Sequence, residues 1–285
     1  MLTILIATSI LAGFAQNQAP APLLLRGVIV VDGTDDAPRP GLSVLVAEGR
    51  IARVGPQSEV TAPEGAHVVE GGYLIPGLFD MHVHLAGTGE ATFAQLVANG
   101  VTCVRDMGGD LPALDAVRER IARGELVGPR IARAGFIVER KEWREAVMGL
   151  GGMSDEELEI FARTRLGVET PDDALDAVLR VYESGADLLK FRNTPAPETF
   201  EKLLEEARLA GLRVAGHEPN TVDLLHAVTL GIGSIEHLPI HAVLAGTSDE
   251  RWDEIGAAMR EHGVHVTPTF SAMRGREMSA DELRA

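Results

Sequence analysis

Pro76-Gly77-Leu78-Phe79-Asp80-Met81-His82-Val83-His84-Leu85 is the stretch on which the reading of this chain turns. An apolar run ends there in two imidazoles two residues apart. On a β-strand the side chains of residues i and i+2 leave the same face, so His82 and His84 at a strand end are able to grip one metal ion together. A His-x-His pair by itself is a weak motif, equally compatible with a structural role. Its weight comes from three segments downstream. Lys190 closes Ala186-Asp187-Leu188-Leu189, His217 closes Leu212-Arg213-Val214-Ala215-Gly216, and His237 closes Ile232-Gly233-Ser234-Ile235-Glu236. Each sits at the C-terminal end of a short, mostly apolar segment, and the intervals are one strand plus one helix plus loops in length. A parallel barrel gathers side chains on one face in this way.

The intervening helices are legible from their apolar faces. Phe200, Leu203, Leu204 and Ala207 share a face before Gly211, and Leu224, Leu225 and Val228 share one before Gly231. Trp252, Ile255 and Met259 repeat the pattern before Gly263, and Leu111, Leu114, Val117 and Ile121 follow Asp110. Thr170-Pro171-Asp172-Asp173 opens a helix running through Tyr182, and Ser154 with Glu157 has the form of a capping box. Seven strands are expected: Leu78 to His84, Val101 to Asp106, Arg130 to Val138, Leu188 to Phe191, Arg213 to His217, Ser234 to His237, and Val264 to Thr269. Strand and helix alternating at this spacing predict an α/β fold of the (β/α)8 TIM-barrel type, without its eighth strand, over residues 76–285. Residues 23–75 read differently, as short strands broken by Gly, Pro and Asp turns with no helical pattern: Leu23 to Gly33, Leu42 to Ala47, Ile51 to Val54 and His67 to Val69. A small β-sandwich domain is expected there.

With those residues in view, the chain after residue 22 resembles the amidohydrolase superfamily of metal-dependent hydrolases. The resemblance is carried by Pro76 to His84, by the β-domain before it, and by Asp187-Leu188-Leu189-Lys190, Ala215-Gly216-His217 and Ile235-Glu236-His237. A lysine on the fourth strand makes it most similar to the branch of Xaa-Pro dipeptidases and imidazolonepropionase-like hydrolases. The resemblance implies a two-metal site, with His82 and His84 on the buried ion, His217 and His237 on the second, and Lys190 between them as a carbamate. Chemistry agrees: a protonated lysine, with a usual pKa of about 10.4, has no lone pair for a metal, whereas its carbamate presents two anionic oxygens. Neutral imidazoles and such oxygens suit Zn²⁺, and Mn²⁺, Co²⁺ or Fe²⁺ fit the same donors. The implied reaction is hydrolysis of an amide, peptide or cyclic amide bond, of the N-acyl amino acid or Xaa-Pro dipeptide type, by a water that bridges the metals.

The chain departs from that pattern at its C-terminus, where an aspartate on an eighth strand is expected to shuttle the proton. Asp281 is the acidic candidate, with Glu277 and Glu282 nearby, yet Ser279 to Arg284 reads as a capped helix start. An incomplete frame or truncated product is therefore expected, with strands one and seven left as edges, poor solubility, and a non-catalytic metal-binding remnant as the alternative function. A second departure is the charged stretch from Val138-Glu139-Arg140-Lys141-Glu142-Trp143-Arg144 to about Arg165, readable as a lid carrying Trp143 or as a solvated insertion. Asp106 either faces the site or bonds loop amides. Arg192 and Asn193 either bind a substrate carboxylate or lie on a surface loop. His67, His226, His241 and His262 are expected in turns or on helices, facing solvent; His265 enters strand seven, whose Thr267 or Thr269 projects toward the pocket.

Composition bounds the rest. At 285 residues and 45% hydrophobic the chain can bury a large core, and a formal net charge of −16 argues against nucleic acid as a partner. Leu2 to Ala15 is an apolar and small-residue run too short to span a bilayer comfortably, so residues 1–22 read as a secretory signal cleaved after Ala15 or Ala19, with export to a periplasm or beyond and no stable membrane anchor. Cys103 is the single cysteine, so no internal disulfide is possible.

Overall fold

The computed structural model describes residues 21–34 and 37–270. Leu2 to Ala15, both cleavage candidates, and Glu277, Asp281 and Glu282 lie outside the described residues. The chain divides into two compact units, Met1–Pro76 and Gly77–Ala285.

In the first unit, strands β1 (Leu23–Val30), β2 (Arg39–Ala47), β3 (Arg50–Pro56), β4 (His67–Glu70) and β5 (Tyr73–Leu74) form one sheet in the order β3-β2-β1-β4, with β5 also on β1. Glu48 and Gly49 join β2 to β3, and both have positive φ, 52° and 73°. A two-residue turn of that kind matches the twist of an antiparallel pair. β1 runs antiparallel to β2 and parallel to β4 and β5. Gly71 and Gly72, at φ 67° and 90°, break the run so that β4 pairs with the first half of β1 and β5 with its end. Val28, Val30 and Val44 form the core, with Leu25, Leu42, Val46 and Leu74 packed against it. The expected sandwich is thus seen as a single sheet among the described residues.

The second unit alternates strand and helix: β6 (Leu78–Val83), α1 (Ala91–Ala98), β7 (Val101–Asp106), α2 (Leu111–Ala122), β8 (Arg130–Arg133), β9 (Ile137–Arg140), α3 (Lys141–Gly149), α4 (Asp155–Thr164), β10 (Arg165–Val168), α5 (Pro171–Glu183), β11 (Leu189–Phe191), α6 (Pro197–Leu209), β12 (Val214–His217), α7 (Leu224–Thr229), β13 (Ser234–Glu236), α8 (Ile240–Leu244), α9 (Asp249–His262) and β14 (His265–Thr267). Its strands pair in parallel in the orders β6-β7-β8 and β10-β9-β11-β12-β13-β14.

The helices form where their apolar faces predict. In α6, Phe200, Leu203, Leu204 and Ala207 are buried, and in α5 Ala174, Ala177, Val178 and Val181 are. Capping boxes open α4 and α5: Ser154 accepts from the Glu157 amide and Thr170 from the Asp173 amide. Gly263, left-handed at φ 66°, ends α9. These faces pack with Val138, Leu189, Phe191, Val214 and Ile235 from the sheet into the main core.

Two expectations are corrected. The run Arg130 to Val138 is not one strand: it breaks at Ala134-Gly135-Phe136, so β8 pairs with β7 while β9 pairs with β11. Gly135 has φ 66°, and a Cβ there would lie 2.4 Å from the Leu111 side chain. Neither that backbone nor that approach admits another residue. The charged stretch after Val138 is helical, forming α3 and α4, and it ends in β10, an unexpected strand beside β9.

Candidate active site

The strand register delivers the site. Lys190 on β11 lies opposite Ile137 of β9 and Ala215 of β12, His217 of β12 opposite Glu236 of β13, and Glu236 opposite Thr267 of β14. A cavity of about 830 Å³ opens at these strand ends, lined by Asp80, His82, His84, Ile137, Arg165, Lys190, Arg192, His217, His237, Thr267 and Thr269. All five residues expected as ligands therefore face one cavity.

The imidazoles are close neighbours: ring centroids are 5.4 Å apart for His82 and His84, 4.9 Å for His217 and His237, and 4.6 Å for His82 and His237. The Nδ1 atoms of three of them are hydrogen-bonded. His82 Nδ1 bonds Glu236 Oε2 at 2.7 Å, His84 Nδ1 the Gly108 carbonyl at 3.2 Å, and His237 Nδ1 Thr269 Oγ1 at 2.7 Å. In all three rings Nε2 makes no such bond among the described residues, the arrangement usual for metal-ligating imidazoles. Burial holds His217 well below the ordinary histidine value, to about 2, and His237 to about 4; it lowers His84 as well. Neutral rings keep the lone pair a metal needs.

Lys190 is 2% exposed, and its Nζ has no hydrogen-bond partner among the described residues. Burial, partly opposed by the Glu236 carboxylate, lowers its pKa to about 7. A buried amine in that position is either an uncompensated cation or, deprotonated, a nucleophile.

Among the described residues no group of three or more His, Cys, Asp or Glu side chains is placed to hold a metal ion. The four imidazoles run as a chain of neighbours, His84 to His82 to His237 to His217, and Lys190 lines the same cavity. With imidazole nitrogens turned to one cavity and a buried amine among them, the donor set is of a kind that would suit divalent metal ions.

Several residues find definite places. Asp106 is fully buried and accepts from the Leu85 and Gly108 amides at 2.7 and 3.0 Å, so it ties loops instead of facing the cavity. Asn193 accepts from the Arg140 amide at 2.7 Å. Arg192 lines the cavity with its guanidinium 5.4 Å from the Trp143 ring centre, and Arg165 lines it too, paired with buried Glu139 at 3.2 Å. Thr267 and Thr269 both face the cavity. His226, His241 and His262 are exposed on helices; His67, also exposed, is on β4, a strand instead of the expected turn or helix. His237 and Thr269 have φ of 68° and 51°, rare for non-glycine residues, and they hydrogen-bond each other.

Sequence reasoning missed Glu236 and Asp80. Glu236 is fully buried: burial pushes its carboxyl up, but hydrogen bonds from His82 and Ser234 and the Arg105 charge outweigh it and leave the pKa lowered. Asp80 lines the cavity and accepts from the His82 amide at 3.1 Å. The signal for Glu236 lay in its position, a carboxylate one residue before an expected ligand inside an apolar strand.

Comparison with known proteins bears on the family and the fold. Imidazolonepropionase of Myxococcus xanthus is 28% identical over 273 residues, covering 86% of this chain and 65% of that protein. Adenine deaminase of Paracoccus denitrificans is 35% identical over 95 residues, 32% of this chain and 16% of that enzyme. The chain thus spans less than two thirds of the length of these relatives. Among solved structures, molinate hydrolase superposes with a TM-score of 0.68 at 20% identity, covering 84% of this chain and 62% of that one. A Xaa-Pro dipeptidase with bound methionine superposes with a TM-score of 0.65 at 22% identity, covering 88% and 68%. Residues 73–283 match the amidohydrolase family, and the chain belongs to it.

Proposed function

We propose that this chain carries the metal-binding face of a hydrolase that cleaves amide, peptide or cyclic amide C–N bonds, built on part of a (β/α)8 barrel. The observation that carries the reading is the convergence of His82, His84, His217 and His237 on one cavity with a buried, unpartnered Lys190. His82 with His84 and His217 with His237 would hold two divalent ions, Zn²⁺ being the best match to the donors. When bound, such ions lower the pKa of water toward 7 and polarise the scissile carbonyl. Lys190 would join the two halves: its neutral amine would form an N–C bond to carbon dioxide, release one N–H proton to solvent, and carry an anionic carbamate with two oxygens. Carbamate formation also removes the cost of a buried orphan amine.

Arg165 and Arg192 line the same cavity, whose one acidic lining residue is Asp80. Two guanidiniums there favour a substrate with a carboxylate, as in N-acyl amino acids or Xaa-Pro dipeptides. The apolar segment Leu2 to Ala15 supports export.

Metal analysis of the purified chain loaded with Zn²⁺ in bicarbonate tests the reading, together with assays on N-acetyl amino acids and Xaa-Pro dipeptides. About two ions per chain, loss of cleavage with chelator, and reduced metal content in Lys190→Ala are expected. Unchanged stoichiometry in Lys190→Ala refutes the bridge. Two ions without turnover on any substrate assign the chain a binding role instead.

A further inference from the structure

We propose that Glu236, clamped by Arg105, is a positioning residue for His82 and sets the affinity of the metal site through that one imidazole. The inference rests on the reading of His82 as a ligand. Glu236 Oε2 takes His82 Nδ1 at 2.7 Å, while Oε1 accepts from Arg105 Nη2 at 2.6 Å and from Ser234 Oγ at 2.5 Å. Both carboxylate oxygens are therefore committed, one to the imidazole and one to the clamp. Arg105 is fixed in turn: Nη2 also reaches Thr267 Oγ1 at 3.2 Å, and Nε donates to the Met81 carbonyl at 2.8 Å. It holds the residue just before His82 by its backbone and, through Glu236, holds the His82 ring by its Nδ1. The ring is gripped at two points, which leaves little freedom for its Nε2.

The chain accepts costs to build this. Glu236 is 0% exposed and the His82 side chain 7%. A buried carboxylate is tolerated only when its hydrogen bonds are filled, and an Arg–Glu pair alone would satisfy much of that need without an imidazole. Neighbouring residues on a strand face opposite sides, yet Glu236 and His237 both touch His82. The left-handed backbone of His237, at φ 68°, breaks the alternation just after β13 and permits it. A carboxylate on the rear nitrogen of a ligating histidine fixes its tautomer and orientation and typically changes metal affinity about 10- to 100-fold.

A double-mutant cycle read by Zn²⁺ affinity tests this, using chelator competition on the full chain with thermal unfolding of the metal-free protein measured alongside. Glu236→Gln is expected to weaken Zn²⁺ binding about 10- to 100-fold in the parent, and to add nothing once His82→Ala is present, because its effect travels through that ring. The same fold-loss in both backgrounds, or no loss in either, overturns the proposal. If His82→Ala itself leaves affinity unchanged, the ligand assignment falls and the proposal with it. Should Glu236→Gln fail to fold, Arg105→Gln replaces it: a smaller loss that vanishes in the His82→Ala background supports the clamp, and a loss that persists there refutes it.

Discussion

His217 and His237 carry rings that burial holds near pKa 2 and 4, against an ordinary value of 6.5. The unfolded chain takes up protons as pH falls through about 6.5, while the folded chain keeps both rings neutral. Folding stability is therefore undiminished by these groups above pH 6.5 and is lost as pH falls from 6.5 toward 4 and below. Urea midpoints of the metal-free chain are expected to drop between pH 7.5 and pH 5, and the drop to shrink in the double variant His217→Asn/His237→Asn. Equal pH dependence in parent and variant would refute this account. These residues were legible in the sequence because a chelating side chain at a strand end needs only local context, an apolar run and the right interval to the next. Glu236 was not, since its meaning depends on Arg105, 131 positions away on another strand. Thr269 showed as a candidate, but its left-handed backbone has no sequence signal, a β-branched residue being disfavoured there.

Gly216 shows how closely β11 and β12 are built around the site. A Cβ at this position would fall 2.3 Å from the Phe191 ring, and Phe191 follows Lys190 as Gly216 precedes His217. Phe191 is fully buried against Phe200, ring centres 5.1 Å apart, so it has no room to retreat. Gly216→Ala is expected to cost about 1–3 kcal/mol in urea unfolding, the usual penalty of overpacking, and to weaken Zn²⁺ retention by shifting both flanking ligands. A neutral effect on both would show that the two strands are free to slide. At this scale most helices were readable from their apolar period and caps, as in α5 and α6. β10 was not, because Arg165-Leu166-Gly167-Val168 has four residues, a glycine and a charge, and becomes a strand only by pairing with β9. The break between β8 and β9 escaped for the converse reason: Ala134-Gly135-Phe136 continues an apolar run, and only the Leu111 side chain against Gly135 forces the bend.

Over the whole molecule, parallel strands alternating with helices bring residues from 82 to 237 to one cavity, a distance in sequence that explains why the fold had to be read before the site. The chain bears a formal net charge of −16, yet its cavity is lined by Arg165 and Arg192 against Asp80. An approaching anion thus meets two opposed fields. Repulsion from the exterior acts over many ångströms and is screened beyond a Debye length of about 8 Å at physiological ionic strength, while contact with a guanidinium inside the cavity is screened far less. For a carboxylate ligand, stopped-flow association is therefore expected to accelerate with added salt; a rate that falls would mean that the cavity's own attraction reaches past the surface. With such acceleration the paired arginines serve as a gate that admits anions more readily in brine than in dilute buffer, reversing the dependence familiar from electrostatically steered encounters.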